Sequence, residues 1–258
     1  MGRIARDSLL LLRRSFREGR RDPTIAFIMP TIVPLVMIGL TSQIFADVAH
    51  LPGFPTARYI TFEAPGMVLL TGMMGAGYSA TALVIDVRSG YLDRLRVLPV
   101  HPVAIVLGRL LFDMVRVLPA GALVLAVSVA LGGEVRGGVL GAVAILGLLA
   151  LWSLAYSGIF YAVGLRTVNP QAPFALLPIF VPLMFLTTVF ASQDMMPGWV
   201  QGISAWNPFT YAIGGARAFI SDEFTWSAVV KAIATCLGLL TLTWYIAGRS
   251  FNRLVRGT

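Results

Sequence analysis

The sequence predicts an all-α integral membrane protein with six transmembrane helices, an N-terminal amphipathic interfacial helix, a short helix on the cytoplasmic surface and an external re-entrant helical hairpin. Three observations carry this reading. Apolar residues make up 57% of the 258-residue chain and charged residues only 12%, whereas soluble domains carry about 25% charged residues. The apolar residues gather into runs of about 20, the length that crosses roughly 30 Å of hydrocarbon. The basic residues collect on alternate connections between those runs. So few charges cannot cover a water-exposed surface, which excludes a disordered chain, a coiled coil and a soluble enzyme.

The elements follow in order. Residues 1–22 set Ile4, Leu9, Leu11, Leu12 and Phe16 among Arg3, Arg6, Arg13, Arg14, Arg17, Arg20 and Arg21. That pattern suits an amphipathic helix lying in the headgroup layer; a solvated basic tail is the plainer alternative. Arg13-Arg14-Ser15-Phe16 is similar to a twin-arginine signal, but the polar stretch from Arg17 to Pro23 stands where a signal's apolar core belongs. The first span is expected over 24–45, opened by Asp22-Pro23 and interrupted by Pro30 and Pro34, which should kink it or free carbonyls toward protein. Further spans are expected over 62–85, 103–131, 138–165, 173–192 and 226–247. Gly132-Gly133-Glu134 and Arg166 to Gln171 form turns between them. There is no tandem repeat and no interdomain linker, so 1–258 is read as one membrane domain. Gly133, Gly137 and Gly141, spaced by four, allow a close helix approach, within the chain or across a dimer. Gly72 and Ala76 permit similar packing in the second span.

Six spans put both termini on one side, and charge orients them. With the N-terminus inside, the inner segments hold 16 of the 20 basic residues, while only Arg58, Arg136, Arg217 and Lys231 lie outside. Acids divide evenly, six to each side, with Glu63 counted outside and Asp113 inside. Both termini are therefore expected in the cytoplasm. This topology accounts for the net charge of +8 without any role in nucleic-acid binding.

What is missing narrows the chemistry. The only lysine, Lys231, is followed by Ala232, so no G-x-x-x-x-G-K-[ST] phosphate loop can be placed and the chain has no ATPase motif of that type. The single Cys236 excludes an internal disulfide and a cysteine-based zinc site. His50 and His101 fall in loops on opposite sides, and no H-E-x-x-H occurs. No Asp, Glu or His is expected near the midplane of a span, where ion-coupled carriers usually need one. Arg109, Asp113 and Arg116 are neighbours on one helix face and are expected to form an ion-pair cluster at the inner end of the third span. No convergent nucleophile and base can be named.

Two loops stand out. In residues 86–102, Leu92, Leu95 and Leu98 recur at spacing three beside Asp93, Arg94 and Arg96. A short amphipathic helix lying along the membrane fits, as does a plain positive-inside connector. The second loop, 193–225, is expected outside. Met195 to Trp206 reads as a helix begun at Pro197, and Asn207 to Ile220 as another, with Asn207 as cap and Pro208 at its first position. Each is too short to cross and too apolar for a free loop. A re-entrant hairpin fits best, and an interfacial aromatic belt is the simpler reading.

These residues together resemble the permease subunits of ABC-2 type ATP-binding cassette exporters, the group that includes daunorubicin-resistance permeases. The resemblance covers nearly the whole chain. It rests on the basic start ending in Arg21-Asp22-Pro23, the six spans, Arg88-Ser-Gly90-Tyr91-Leu92-Asp93-Arg94-Leu95 with Pro99, and Met196-Pro197 followed by Asn207-Pro208-Phe-Thr-Tyr211 and Arg217. The family's inner loop usually opens with glutamates and a Gly-Thr pair, where this chain has Asp86, Arg88 and Gly90-Tyr91.

The resemblance implies a division of labour. A separate cytosolic ATP-binding cassette subunit, holding the ATP and magnesium, would push on a coupling helix over 86–96 through Asp86, Arg88, Gly90, Tyr91, Leu92, Asp93, Arg94 and Leu95. This chain would carry no cofactor. A second permease chain, identical or paralogous, would face it across an exit path lined by the first, second and fifth spans, in a bacterial plasma membrane. Apolar walls suit a hydrophobic drug or lipid-like cargo, with Phe185, Phe190, Met195 and Met196 as candidates for the outer end of the path. An ion-coupled carrier or channel, or a lipid-modifying membrane enzyme, are the alternatives.

Overall fold

The structure, a computed structural model, describes residues 13, 15, 24–90, 102–221 and 224–256. Every regular element among them is helical. In chain order these are α1 (Met29–Ile44), α2 (Tyr59–Arg88), α3 (Pro102–Ala130), α4 (Gly138–Thr167), α5 (Leu177–Phe185), α6 (Gly198–Trp206), α7 (Pro208–Ile220) and α8 (Trp226–Arg256). A π-helical turn, Thr24–Ile28, leads into α1, and 3₁₀ turns occur at Ala46–His50, Ala172–Leu176 and Gln193–Met195. The expected amphipathic helix over 1–22, apart from Arg13 and Ser15, and the stretch 91–101 lie outside the described residues.

Four helices are long and apolar enough to cross a membrane: α2, α4, the Leu110–Ala130 part of α3 and the Trp226–Phe251 part of α8. Two expected spans are shorter as regular α-helix, for a reason visible in their prolines. In the first, Pro30 has no N–H to offer the carbonyl of residue 26, and Pro34 none to offer that of Pro30. The chain meets this with the π-helical turn before α1. In the fifth, Pro173, Pro178 and Pro182 recur before the β-branched run Thr187-Thr188-Val189. Both features oppose a continuous helix, and 173–192 resolves into a 3₁₀ turn, the nine-residue α5 and a non-helical stretch from Leu186. The last helix instead runs beyond its expected end at 247, so Arg249 continues it and sets its guanidinium 4.7 Å from the centre of the Tyr245 ring.

The helix α2 forms the centre of the bundle. In its most apolar window 72% of residues are buried, against 22% for α8, which therefore lies at the periphery. Helices in lipid gain little from the hydrophobic effect against one another, so close packing and buried polar contacts hold them. Small residues provide that closeness. A Cβ on Gly72 would lie 2.9 Å from Leu149 Cδ1 and 3.1 Å from Ser153 Cβ, and Ser153 donates to the Gly72 carbonyl at 3.2 Å. The fully buried Trp152 of α4 stacks on Phe209 of α7 with centroids 5.1 Å apart. The Gly137 and Gly141 stripe serves packing within the chain: a Cβ at either would lie 2.0 or 2.2 Å from the Phe219 carbonyl oxygen of α7.

Gly158 of α4 faces Thr243 of α8 in the same way, and Thr243 Oγ1 donates to the Ala155 carbonyl at 2.8 Å. A Cβ on Gly158 would lie 2.4 Å from that hydroxyl and 2.8 Å from the Thr243 backbone. Gly158→Leu should lower stability by about 1–3 kcal/mol, the usual cost of overpacking, read as a fall in unfolding temperature in detergent micelles. Gly147→Ala, with nothing within 4 Å, should leave that temperature unchanged.

Candidate functional site

At the end of the bundle that the charge pattern assigns to the outside, the non-helical stretch after α5 leaves carbonyls without intrahelical donors. In lipid such groups need partners, and side chains from α7 and its cap, from α2 and from the stretch itself supply them. Asn207 Nδ2 donates to Leu183 O at 3.0 Å and Thr187 Oγ1 to Met184 O at 2.6 Å. Arg217 of α7 donates to Thr188 O and, at 3.4 Å, to Val189 O. The Tyr59 hydroxyl, at the start of α2, donates to Phe190 O at 2.8 Å. Arg217 also donates from Nε to Phe62 O at 3.0 Å and lays its guanidinium 3.5 Å from the centre of the Phe62 ring. One arginine thus ties α7, α2 and the break together.

The expected start of α7 is present. Asn207 Oδ1 accepts from Phe209 N at 3.0 Å while Pro208 opens the helix, and the Tyr211 hydroxyl donates to Ala205 O at 2.7 Å. Helix α6 begins at Gly198, because Pro197 stands with extended ψ as the residue before it. Its Trp199 and Trp206 are exposed, as expected of aromatic residues at a membrane interface. The structure brings Phe185 and Phe190 together as a stacked pair, 4.8 Å between centroids. Met195 closes the 3₁₀ turn beyond them, and Met196 is buried with its carbonyl accepting from Gln201 at 2.9 Å.

Two carboxylates lie within the bundle, although the sequence places Glu63 among outer charges and Asp113 at an inner span end. Asp113 of α3 is 1% exposed and accepts from the Ser79 hydroxyl of α2 and the Tyr161 hydroxyl of α4. Arg116, one turn on, stands 3.9 Å from it and donates to the Gly75 carbonyl at 2.6 Å. The expected pair between Asp113 and Arg116 is therefore present, as a buried junction of three helices; the side chain of Arg109 lies outside the described residues. Glu63 is fully buried; its Oε1 accepts from Thr41 of α1, and its Oε2 has no hydrogen-bond partner. Sequence reasoning missed this residue by starting the second helix at Phe62. A start at Tyr59 sets Tyr59, Glu63 and Met67 on one face at spacing four, and that face is buried.

At the opposite end, α2 finishes in a turn with Gly90 at φ +66°. Arg88 Nε donates to Val168 O at 2.7 Å, and Thr81 Oγ1 to Pro170 O at 2.9 Å. Val168 has φ +47°, a conformation unfavourable for a β-branched residue, and Arg88 bonds its carbonyl. Asp86 is half-buried on the same turn, and its carbonyl accepts from Ser89 at 3.0 Å. Tyr91, Leu92, Asp93, Arg94 and Leu95 lie outside the described residues.

The described residues thus form an apolar helical bundle with a broken helix at one end and a cross-tied turn at the other. The ABC-2 type transporter family matches residues 7–220, and the chain belongs to it. A daunorubicin-resistance ABC transporter permease of Streptomyces coeruleorubidus is 31% identical over 216 residues, covering 83% of this chain and 74% of that one. A probable doxorubicin-resistance ABC transporter permease of Mycobacterium tuberculosis is 24% identical over 232 residues, covering 90% and 83%. A putative transport permease of Cyanophora paradoxa is 27% identical over 221 residues, covering 84% and 74%. The expected family and the multi-pass membrane character both hold.

Replacing Arg217 by Met should cost at least about 3 kcal/mol, since carbonyls are left unpaired in apolar surroundings and a desolvated cation–π contact is lost. Tyr59→Phe removes one hydrogen bond and should cost about 1 kcal/mol. Unfolding of the purified chain in micelles, monitored by tryptophan fluorescence, measures both.

Proposed function

We propose that this chain is the transmembrane subunit of an ATP-driven exporter that moves a hydrophobic drug or lipid-like molecule across a bacterial plasma membrane. A separate cytosolic ATPase subunit binds the ATP and magnesium, and a second permease chain completes the path. The six-span topology with both termini in the cytoplasm belongs to this proposal, with Met29–Ile44 and the broken 172–192 segment as the two irregular spans. The family, the drug-resistance relatives and the absence of a phosphate loop support it.

The observation that carries the mechanism is the pair of bonds at the foot of the coupling segment. Arg88 and Thr81 bind the carbonyls of Val168 and Pro170, and that turn leads directly into the 3₁₀ turn and α5. A push on residues 86–96 is thereby delivered to α2 and to the broken helix together. At the far end of α5 the stacked Phe185 and Phe190 form the outer end of the cargo path, and parting of the stack opens it. Coupling through a paired turn, rather than through a single helix, lets a displacement at one side of the membrane reach a gate at the other.

A second reading, an ion-coupled carrier, gains one observation from the structure, the two carboxylates inside the bundle. Asp113 is held by two hydroxyls beside Arg116, an arrangement suited to fixing helices rather than to binding and releasing an ion. The exporter is preferred because the family and its drug-resistance relatives support it.

Arg88→Ala in the complex with the ATPase should leave basal ATP hydrolysis within about twofold and reduce drug-stimulated hydrolysis and transport at least about tenfold. The measurement is paired ATPase and vesicle transport assays. Transport and stimulation at native levels in this variant would remove the coupling role of Arg88.

A further inference from the structure

Among the described residues Glu63 is the buried carboxylate with an oxygen left unpaired. Both oxygens of Asp113 receive hydroxyl donors. Among the described residues the one hydrogen bond to Glu63 comes from the Thr41 hydroxyl, and that hydroxyl also lies 2.6 Å from the Met37 carbonyl. A hydroxyl has a single proton to donate, so the carboxyl shares even this partner. Its Oε2 has none, and among the described residues no salt bridge reaches it. A buried carboxylate so poorly satisfied is costly as an anion unless a proton or a cation joins it, and an ionisable residue inside a membrane marks a functional site by default.

The surroundings define the chemistry of that cation. Tyr59 lies one turn before Glu63 on the same face of α2. Its ring lies 5.6 Å from Phe45, 5.9 Å from Phe54 and 6.4 Å from Phe62, and Phe54 stands 4.9 Å from Phe62. This cluster runs from the exposed Phe45 to the buried turn that holds Glu63. Aromatic faces favour organic cations, whereas a small metal ion needs several oxygen ligands that are not gathered here. Arg217, which bonds the Phe62 carbonyl of this turn, is directed at the carbonyls of Phe62, Thr188 and Val189. Entry requires α1 to part from α2. The contact across that seam at Glu63 is Thr41, and the other side of α1 presents Ile32, Val33, Val36, Leu40 and Ile44 outward.

We propose that Glu63 is the recognition residue for the ammonium group of a hydrophobic, aromatic cation. Oε2 accepts from the ammonium while the rings of Tyr59 and Phe45 cover the apolar part of the molecule. The inference rests on the exporter reading and names within it the residue that selects a charged over a neutral cargo.

The test measures binding to the full chain in phosphatidylcholine nanodiscs at neutral pH, without nucleotide or ATPase, so its outcome is independent of coupling and transport. The probes are 1-naphthylmethylammonium and its neutral counterpart 1-naphthylmethanol, followed by equilibrium dialysis. Glu63→Gln should weaken the ammonium on the order of tenfold or more, as expected for loss of a buried charge partner, and leave the alcohol unchanged. Glu63→Asp, which keeps the charge, should retain ammonium binding within about threefold and keeps the test valid if the Gln variant fails to fold. Ammonium binding at native strength in Glu63→Gln, or equal loss of both probes, overturns the proposal.

Discussion

The fold depends on one constraint: within hydrocarbon every backbone N–H and C=O must find a partner in the protein. Regular helices meet it internally, and α2, α3, α4 and α8 do so over most of their length. The 173–192 segment cannot, because its prolines remove donors and its β-branched run ends the helix at Phe185. Its carbonyls are satisfied instead by Arg217, Tyr59, Asn207 and Thr187. The first three come from α2, from α7 and from its cap, so the break is also where α2 and α7 meet the stretch that follows α5. A gate needs a place where helices can change their relation without exposing bare backbone, and exchangeable side-chain donors provide one.

The remainder of the bundle is built to stay rigid. Gly72, Gly121 and Gly158 bring α2, α3 and α8 against α4 more closely than any larger residue would allow. The Asp113, Ser79 and Tyr161 contacts pin α2, α3 and α4 where those glycines leave room. Trp244, whose ring meets Tyr161 edge-on, donates to Leu154 O at 2.9 Å and fastens α8 to the same region. The less supported parts are α1 and the broken α5. These two helices expose long apolar faces, suited to lipid or to a second chain.

Much of this was legible in the sequence because lipid imposes simple rules. Length and apolarity located α2, α3 and α4 to within a few residues, and the Asn207-Pro208 cap located the start of α7. Charge placement predicted that Asp113 and Arg116 would pair, since residues three apart share a helix face. The break after Phe185 was less visible: hydropathy reads a continuous apolar run and is blind to missing donors. Glu63 was hidden because a carboxylate near a span end is ordinarily solvated. Only the earlier start of α2, at Tyr59, turns it inward. The ties from Arg88 and Arg217 to distant carbonyls join residues far apart in sequence, and no local pattern specifies them.

The central claim is that this bundle is a passive gate, held by buried contacts and moved from its cytoplasmic loops by a motor on another chain. Reconstitution into sealed vesicles, with and without the partner ATPase, tests it most directly. The account predicts that a fluorescent drug accumulates only when partner and ATP are both present, whatever proton or sodium gradient is imposed. Accumulation driven by an ion gradient in vesicles containing this chain alone would contradict it.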